Sequence, residues 1–387
     1  MATRPIERED VVDLTRRLIA IESHRDAPGR ESKIGRFLVE WFGERGITAK
    51  LQPVDGDRAN VIATIAGGGG ASLMLNGHLD TVPAGEMRNA FEPRIEGETL
   101  WGRGACDMKG AIAAMAVVLA QIHAEQASAL VGDLLFVGTV DEESGSLGAK
   151  ALIDVGPRAD YAIVGEPTSL RVAVAHKGSC FIRVSLTGRG AHGSCPEEGV
   201  NAASYAARIV AAIEDELRPR LARRAYPLLG PSTVSVGRIC GGTQPNVVAE
   251  RCVIEIDRRY LPGEADPVSE VLGIVSTICE RAEGLDYDVA EMPMTAVVPH
   301  VPLGTSPDST LARAALAQCR GAGRPFEPAG VTYWSDGGHF AANGIETIVL
   351  GPGDIANAHG PRDRVAIEEL RSAVELYLGI VRRLLSG

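Results

Sequence analysis

A series of short apolar runs in the first half of the chain, two of them bounded directly by aspartate and glycine, limits the folds that this sequence can adopt. The runs lie at residues 61–65, 73–75, 134–137 and 161–164. Between them the sequence repeats apolar residues at helical spacing, as at residues 111–122. Short apolar strands that alternate with helices are typical of a sheet buried on both faces. We therefore predict an α/β domain with a mixed, mostly parallel sheet flanked by helices.

The middle third of the chain has a different pattern, in which apolar and polar residues alternate with a period of two. The alternation is found at 181–186, 234–239 and 253–256, with helical patterns at 202–213 and 268–278. Such alternation indicates an antiparallel sheet with one solvated face. At 387 residues the chain is long enough for two cores. We predict that residues 177–293 form an α+β domain inserted into a catalytic domain made of residues 1–176 and 294–387.

Acidic and histidine residues directly follow several of the apolar runs. They are His78 and Asp80 in one block, Glu142 and Glu143 after Asp141, Glu166 between glycine and proline, and His359 after a Gly-Pro-Gly turn. In open α/β sheets, ligands bind beyond the carboxyl ends of the strands. Carboxylate oxygens and imidazole nitrogens are zinc ligands, and two ions about 3.5–4 Å apart can activate one shared water. The ordered set, together with Asp107, predicts a pair of divalent metal ions.

Each of these motifs, taken alone, also has an ordinary structural explanation. His78 fits a structural histidine, Glu166 a loop charge, and His359 a surface histidine. A second His-x-Asp block at residues 24–26 lies in a polar stretch and is predicted to be a solvated loop. Three adjacent acidic residues at 141–143 fit a solvated turn, but beside a buried strand they cost stability unless a positive charge compensates them. The whole set in this order favours the metal centre.

The segment Gly102-Arg-Gly104-Ala-Cys-Asp107 begins like a dinucleotide-binding fingerprint. Asp107 stands where that fingerprint has its third glycine, and its charge would repel a pyrophosphate. We expect instead that the two glycines let the backbone turn tightly, so that Asp107 points at the metals. Asp80 is expected to hold one ring nitrogen of His78 and to leave the other free for a metal.

Composition argues against several other functions. The formal net charge of −11 disfavours a nucleic-acid partner, because phosphate binding needs a basic surface. Seven cysteines occur without a Cys-x-x-Cys pair, which disfavours a thiolate zinc site. No uninterrupted apolar stretch approaches the roughly 20 residues of a membrane span, and the first ten residues lack the apolar core of a secretory signal. We expect a cytoplasmic protein with neither a nucleic-acid nor a membrane partner.

These blocks, in this order and over nearly the whole chain, resemble the co-catalytic dizinc family of aminoacylases, acetylornithine deacetylases, succinyl-diaminopimelate desuccinylases and carboxypeptidase G. The resemblance implies a zinc-peptidase catalytic domain with an inserted ferredoxin-like domain that serves as lid and dimerisation domain. It also implies two Zn²⁺ per subunit, for which Co²⁺ or Mn²⁺ can substitute. His78 and Glu166 would hold one ion, Glu143 and His359 the other, and Asp107 would bridge both.

The same resemblance assigns residues to catalysis and substrate binding. Glu142 would be the general base and Asp80 the partner of His78. His192, in Gly-Arg-Gly-Ala-His192-Gly-Ser, would stabilise the oxyanion from the opposite subunit of a homodimer. Asn246 and Arg259 would anchor the substrate. Arg259 keeps the Asp-x-Arg-x-x-Pro spacing, and a guanidinium is suited to grip a carboxylate with two hydrogen bonds.

The implied substrate is an N-acyl-L-amino acid or a short peptide. Glutamate at position 166 favours deacylases and carboxypeptidases over the aminopeptidases of the family. Deacylation is the leading hypothesis, a carboxypeptidase or dipeptidase is the alternative, and a non-catalytic metal- or amino-acid-binding homologue is a minority alternative. Tyr333 and Trp334 replace small residues found in the desuccinylases, and we expect them to reshape the acyl pocket against a succinyl group.

Overall fold

A computed structural model describes residues 7–8, 10–125, 130–264, 266–280 and 282–386 of the chain. Residues 1–6, on which the expectation of a missing secretory signal partly depends, lie outside the described residues. The strands are β1 (Ala49–Asp55), β2 (Arg58–Ile65), β3 (Gly70–His78), β4 (Arg94–Glu96), β5 (Thr99–Trp101), β6 (Gly132–Thr139), β7 (Tyr161–Val164), β8 (Ala173–His176), β9 (Gly178–Thr187), β10 (Ala225–Tyr226), β11 (Gly230–Pro231), β12 (Thr233–Gly241), β13 (Arg251–Tyr260), β14 (Asp286–Glu291), β15 (Leu303–Gly304), β16 (Ala329–Val331), β17 (Glu346–Val349) and β18 (Arg364–Ala366). The α-helices are α1 (Asp10–Ile19), α2 (Ser32–Gly43), α3 (Gly110–Ala124), α4 (Leu147–Val155), α5 (Ala202–Ala212), α6 (Arg218–Leu221), α7 (Pro267–Cys279), α8 (Pro293–Ala296), α9 (Thr310–Gly321), α10 (Gly337–Ala342) and α11 (Ile367–Leu385).

The chain divides into two compact units. The first comprises the chain up to residue 175 together with residues 303–331 and 335 onward, and the second comprises residues 176–302 and 332–334. The second unit ends at residue 302 rather than at the predicted 293. The reason is that residues beyond 293 bond to the start of β9: Phe181 N donates to Thr295 Oγ1 at 3.1 Å, and Ser179 N donates to the carbonyl of His300 at 3.0 Å.

The first unit is built on a sheet with strand order β1-β2-β6-β3-β7-β17-β8-β15, to which β16 is added beside β8. Its centre is parallel: β6 with β3, β3 with β7, and β7 with β17. The strands β1 and β2 and the strand β8 are antiparallel to their neighbours. Hydrophobic clusters cover both faces, with α1, α3 and α11 on one and α4 and α10 on the other. The predicted mostly parallel α/β fold is confirmed.

Helix α3 is apolar on every side because it lies in the core of this unit. The helices α1 and α11 and the strands β3 and β6 pack against it. With the turn before it, the stretch Ala105–Ala124 is long and apolar enough to pass for a membrane span by length and composition, which the sequence analysis does not anticipate. Because 94% of the most apolar 18-residue window of that stretch is buried inside the protein, its place in the core accounts for its composition.

The second unit carries an antiparallel sheet in the order β12-β13-β9-β14. Along the chain its main elements run β9, α5, β12, β13, α7 and β14, which is the ferredoxin-like arrangement. One face of the sheet packs on α5 and α7: the buried residues of β13 are Cys252, Ile254, Ile256 and Arg258, and those between them are more exposed. The predicted ferredoxin-like α+β insertion is therefore confirmed as a fold.

Candidate metal centre

The carboxyl ends of the four parallel strands deliver most of the predicted ligands to one edge of the sheet. His78 is the last residue of β3 and pairs in register with Thr139 at the end of β6. Glu142 and Glu143 follow β6, Glu166 follows β7, and His359 lies in the loop after β17. Asp107 is different: it lies in a helical turn, Ala105–Lys109, that leads into α3. Unlike the other candidate ligands, Asp107 therefore does not reach the site from the end of a strand of this sheet.

Asp107 is shared between two groups of ligand atoms. Its Oδ1 lies 2.9 Å from His78 Nε2, and its Oδ2 lies 3.0 Å from His359 Nε2. Glu166 Oε1 is 3.8 Å from His78 Nε2, and Glu143 Oε1 is 3.1 Å from His359 Nε2. The atoms therefore form the sets His78, Asp107, Glu166 and Asp107, Glu143, His359, each with all ligand atoms within 4.8 Å of one another.

The donor set fits a pair of divalent cations. Asp107, Glu142 and Glu166 are buried, yet within the described residues no donor hydrogen-bonds to Glu166 Oε1. Burial, with the charge of Glu166, raises the pKa of Glu142, and burial, with the charge of Asp107, raises the pKa of Glu166. A buried carboxylate oxygen without a donor and several mutually repelling carboxylates are stabilised by bound cations.

Neighbouring carboxylates raise the pKa of both histidines, which favours their protonated forms when no metal ion is bound. Burial opposes protonation of His78, but hydrogen bonds to Asp107 and Asp80 outweigh it and keep the pKa of His78 well above its usual value. Hydrogen bonds to Asp107 and Glu143 raise the pKa of His359 to about 10. Burial acts to raise the pKa of Asp107, but hydrogen bonds from both histidines lower it below its usual value.

Metal binding is therefore expected to release protons at pH 7, and metal affinity is expected to fall as the pH is lowered. In the metal-free protein the pKa of His359 is about 10 and that of His78 is raised well above its usual value, whereas a metal ligand must be the neutral imidazole. Calorimetric zinc titrations in two buffers of different ionisation enthalpy measure the protons released. Binding heats that do not depend on the buffer would contradict this account of the histidines.

Asp80 orients two parts of the site through hydrogen bonds: the ring of His78 and the turn that carries Glu142 and Glu143. His78 Nδ1 lies 3.0 Å from the carbonyl oxygen of Asp80, which can only accept, so Nδ1 is the donor and Nε2 of the neutral ring faces Asp107. The Asp80 carboxylate is 3.5 Å from the same Nδ1. It accepts the backbone N–H groups of Glu142 at 3.2 Å and Glu143 at 3.0 Å. The predicted partnership with His78 is thus made mainly by the backbone, while the side chain orients the acidic turn.

The acidic turn at 141–143 is not solvated, because its first residue is committed to a buried ion cluster. Asp141 has a positive φ of 73°, and its Oδ1 accepts from Arg58 Nη2 at 2.6 Å. The same guanidinium donates two bonds to Glu31, at 2.6 and 2.8 Å. Arg58 and Glu31 are buried as well. Asp141 therefore fixes the turn, which leaves Glu142 and Glu143 for the site.

The glycines before Asp107 are required by the backbone, as expected. Gly102 and Gly104 have φ values of 153° and 82°. A Cβ atom at Gly102 would lie 2.4 Å from Ile19 Cγ2, and one at Gly104 would lie 2.8 Å from Thr81 Cγ2. The turn can reach the site only because these two positions lack side chains.

The sequence analysis does not identify several charged side chains near the centre, among them Glu31, Arg58, Arg103 and Asp363. All four are buried and bond to loops that carry candidate ligands. Their positions in the sequence are far apart, and none stands in a pattern that one sequence makes visible. The position of Arg103 between two glycines is the sequence feature that comes closest to indicating such a role.

In the second unit the structure brings two predicted residues together. Gly193, next to His192, donates its N–H to the carbonyl of Asn246 at 2.7 Å. Both His192 and Asn246 are exposed. The ring nitrogen Nδ1 of His192 lies 2.7 Å from Ser194 Oγ and accepts the Ser194 N–H at 3.2 Å. Because Nδ1 accepts, the neutral ring carries its proton on Nε2.

The two neighbouring arginines of β13 have opposite environments. Arg258 is buried and bonds to Glu264 at 3.3 Å and Glu270 at 3.0 Å, so it is committed to the interior of this unit. Arg259 has a side chain that is 31% exposed, and it makes two hydrogen bonds to Asp257, at 2.8 and 3.1 Å. Of the two, only Arg259 is accessible to a substrate carboxylate.

The prediction that the His-x-Asp block at residues 24–26 is a solvated loop is wrong for its histidine. His24 is not a solvated loop residue: its side chain is 12% exposed and its ring stacks on Phe91 with centroids 5.5 Å apart.

Trp334 stacks on His300 within the second unit, with ring centroids 3.8 Å apart. The exclusion of a succinyl group by Tyr333 and Trp334 stays a prediction.

Comparison with known proteins places this geometry in a family. A family model for peptidase family M20/M25/M40 matches residues 74–383. The chain belongs to this family. An acetylornithine deacetylase from Myxococcus xanthus is 34% identical to it over 322 residues, which is 81% of this chain and 81% of that protein. The M20/M25/M40 chain is accordingly a metal-dependent hydrolase of amide bonds.

Solved structures share the fold of this M20/M25/M40 protein. A tripeptidase from Staphylococcus aureus superposes with a TM-score of 0.80 at 24% identity, over 98% of this chain and 99% of that one. YXEP of Bacillus subtilis, a dinuclear metal-binding peptidase of the M20 family, gives a TM-score of 0.72 at 17% identity, over 97% and 98% of the two chains. These likenesses show that the fold is shared over nearly the whole of each chain.

Proposed function

We propose that the protein hydrolyses the amide bond of N-acyl-L-amino acids to a carboxylate and a free amino acid, using two zinc ions. The observation that carries the proposal is that Asp107 is shared between two sets of candidate metal ligands. Beside them lies Glu142, a buried glutamate that belongs to neither set. The similarity to an acetylornithine deacetylase supports deacylation. Cobalt or manganese is proposed to substitute for zinc, since the ligands are oxygen and imidazole.

Glu142 is proposed to move the proton. Its carboxylate is buried, and burial together with the charge of Glu166 raises its pKa, which makes it an effective proton acceptor. When bound, the ions polarise the acyl carbonyl and lower the pKa of water from 15.7 to about 7. Glu142 takes a proton from the attacking water and gives it to the leaving nitrogen, so that the amine departs neutral. Asp80 orients the base by accepting the Glu142 N–H.

The second unit is proposed to hold the substrate and to support the oxyanion. His192 carries its proton on Nε2 because Nδ1 accepts from Ser194, and so can donate to a developing negative charge. We propose that it does so in the active site of a partner subunit, with Asn246 beside it. Sedimentation velocity that gives a strict monomer at the concentrations of the assay would remove this role.

The test of the proposed reaction is amine release by the zinc-loaded protein. The panel holds N-acetyl, N-formyl and N-succinyl amino acids beside dipeptides and tripeptides. Release from one acyl class, with the peptides intact, is the expected result, and poor turnover of the succinyl compounds is expected from Tyr333 and Trp334. Release only from peptides would show the alternative, a carboxypeptidase or dipeptidase, and would leave the metal centre unchanged.

Arg259→Lys is expected to raise KM by about tenfold with little change in kcat. Lysine keeps the charge but cannot give a carboxylate two parallel hydrogen bonds, and one charge-assisted hydrogen bond is worth about 1.5–3 kcal/mol. The matched control is Arg183→Lys, which changes an exposed arginine paired with Glu255 on the same sheet. Equal KM values for the Arg259 variant and the control would contradict the anchoring role.

A further inference from the structure

We propose that the buried ion pair between Arg103 and Asp363 is a positioning clamp for one half of the metal centre. It positions Asp107 and His359, and thereby controls the ion held with Glu143 more than the other ion. The inference rests on the dinuclear centre of the proposed function. It assigns a role to two side chains that bind no ion themselves.

Arg103 joins two loops to the turn that carries Asp107. Its side chain is 2% exposed, and its guanidinium points away from solvent into the backbone of both loops. The acceptors are the carbonyl oxygens of Pro83 (3.1 Å), Ala84 (3.0 Å), Gly360 (3.2 Å) and His359 (3.5 Å), and the carboxylate of Asp363 (3.1 Å). A planar fork of five N–H groups can hold acceptors in this arrangement, whereas an ammonium group cannot reach them together.

Asp363 completes the clamp from the side of the His359 loop. Its Oδ2 accepts the Gly104 N–H at 2.7 Å, and its Oδ1 accepts the Cys106 N–H at 2.9 Å. Its carbonyl oxygen accepts the Gly102 N–H at 3.1 Å. The backbone immediately before Asp107 is therefore held by hydrogen bonds to Asp363, which lies four positions after His359. Loops that are more than 250 positions apart in sequence meet at one carboxylate.

The clamp fixes more members of one ligand set than of the other. His78 ends strand β3 and Glu166 follows β7 closely, so both are placed by the sheet. The His78 and Glu166 side chains are 1% and 5% exposed, whereas that of His359 is 52% exposed. His359 lies in a loop with a positive φ of 59°. Two members of the second set, Asp107 and His359, thus depend on Arg103 and Asp363, while the first set shares only Asp107.

The experiment is a zinc titration of the full-length protein against a chelating dye, with stoichiometry from native mass spectrometry. The variants are Asp363→Asn, which keeps the shape but offers an NH₂ where an acceptor is needed, and Arg103→Lys. The control is Arg258→Lys, because that arginine is equally buried and paired with carboxylates in the second unit. Unfolding midpoints of the metal-free variants show that each one is folded.

Both clamp variants are expected to bind the ion of the Glu143 and His359 set about 10–100-fold more weakly, as for other residues that orient metal ligands. The other ion, whose set shares only Asp107 with the clamp, is expected to be weakened by a clearly smaller factor. The control is expected to bind both ions normally even where its midpoint falls. Unchanged binding of both ions in the two clamp variants, or equal weakening of both, would overturn the clamp. Wild-type protein that binds fewer than two ions would contradict the metal centre itself, and the clamp with it.

Discussion

Replacing Glu142 by glutamine is expected to lower kcat/KM by about 10²–10⁴-fold while both metal ions stay bound. Glutamine has nearly the same shape, so Asp80 can still accept the backbone N–H of residue 142. It cannot take a proton from water, however, and cannot return one to the leaving nitrogen. The Glu142 carboxylate belongs to neither candidate ligand set, which is why metal content is expected to survive.

The measurement is the steady-state rate on the best acyl amino acid, with zinc content determined on the same sample. Glu143→Gln is the informative comparison, because it removes a candidate ligand from the adjacent position and is expected to lose activity together with one ion. Glu255→Gln, at an exposed pair with Arg183 in the second unit, controls for the chemical change. Near-normal turnover by the Glu142 variant with two ions bound would exclude Glu142 as the general base.

Replacing Asp107 by asparagine is expected to weaken both ions at once, by at least about 100-fold, and to abolish activity at ordinary zinc concentrations. Asp107 is the only member common to the two ligand sets, with one carboxylate oxygen near each histidine. Asparagine keeps the shape but loses the negative charge and one acceptor oxygen. A neutral amide cannot bridge two cations as a carboxylate does.

Glu166→Gln and His359→Gln provide the comparison for Asp107, because each removes a ligand from one set alone. Each is expected to retain one tightly bound ion, and the pair should differ in which ion is lost. Zinc titration with native mass spectrometry distinguishes these results. An Asp107 variant that keeps one ion at wild-type affinity would show that the carboxylate serves a single ion and does not bridge.

Much of the fold could be predicted because hydrophobic periodicity is local. The apolar runs at 73–75 and 134–137 lie in β3 and β6, and the alternating segment at 253–256 lies in β13. A parallel sheet then places the residues after its strands at one edge. That rule is sufficient to predict that His78, Glu143 and Glu166 lie at one site.

Other features of the site could not be predicted, because they depend on which distant segments meet. The position of Asp107 is set by a helical turn and by Asp363, and the acidic turn at 141–143 is fixed by Arg58. Motif spacing favours Arg259 over Arg258, and the structure gives the cause: Arg258 is buried among carboxylates. The insertion ends later than predicted because of bonds between β9 and residues 295–300.

Local sequence patterns predict the α/β sheet, the inserted α+β fold, and the acidic and histidine residues at the strand ends with the chemistry they can perform. The position of Asp107 between both histidines, and the bonds by which Arg103 and Asp363 join the Asp107 and His359 loops, are visible only in the folded chain. The difference lies in how far apart in the sequence the interacting residues are. Strand and helix patterns arise from residues a few positions apart, whereas buried charge pairs form between segments that only folding brings together, and a single sequence carries no record of such contacts.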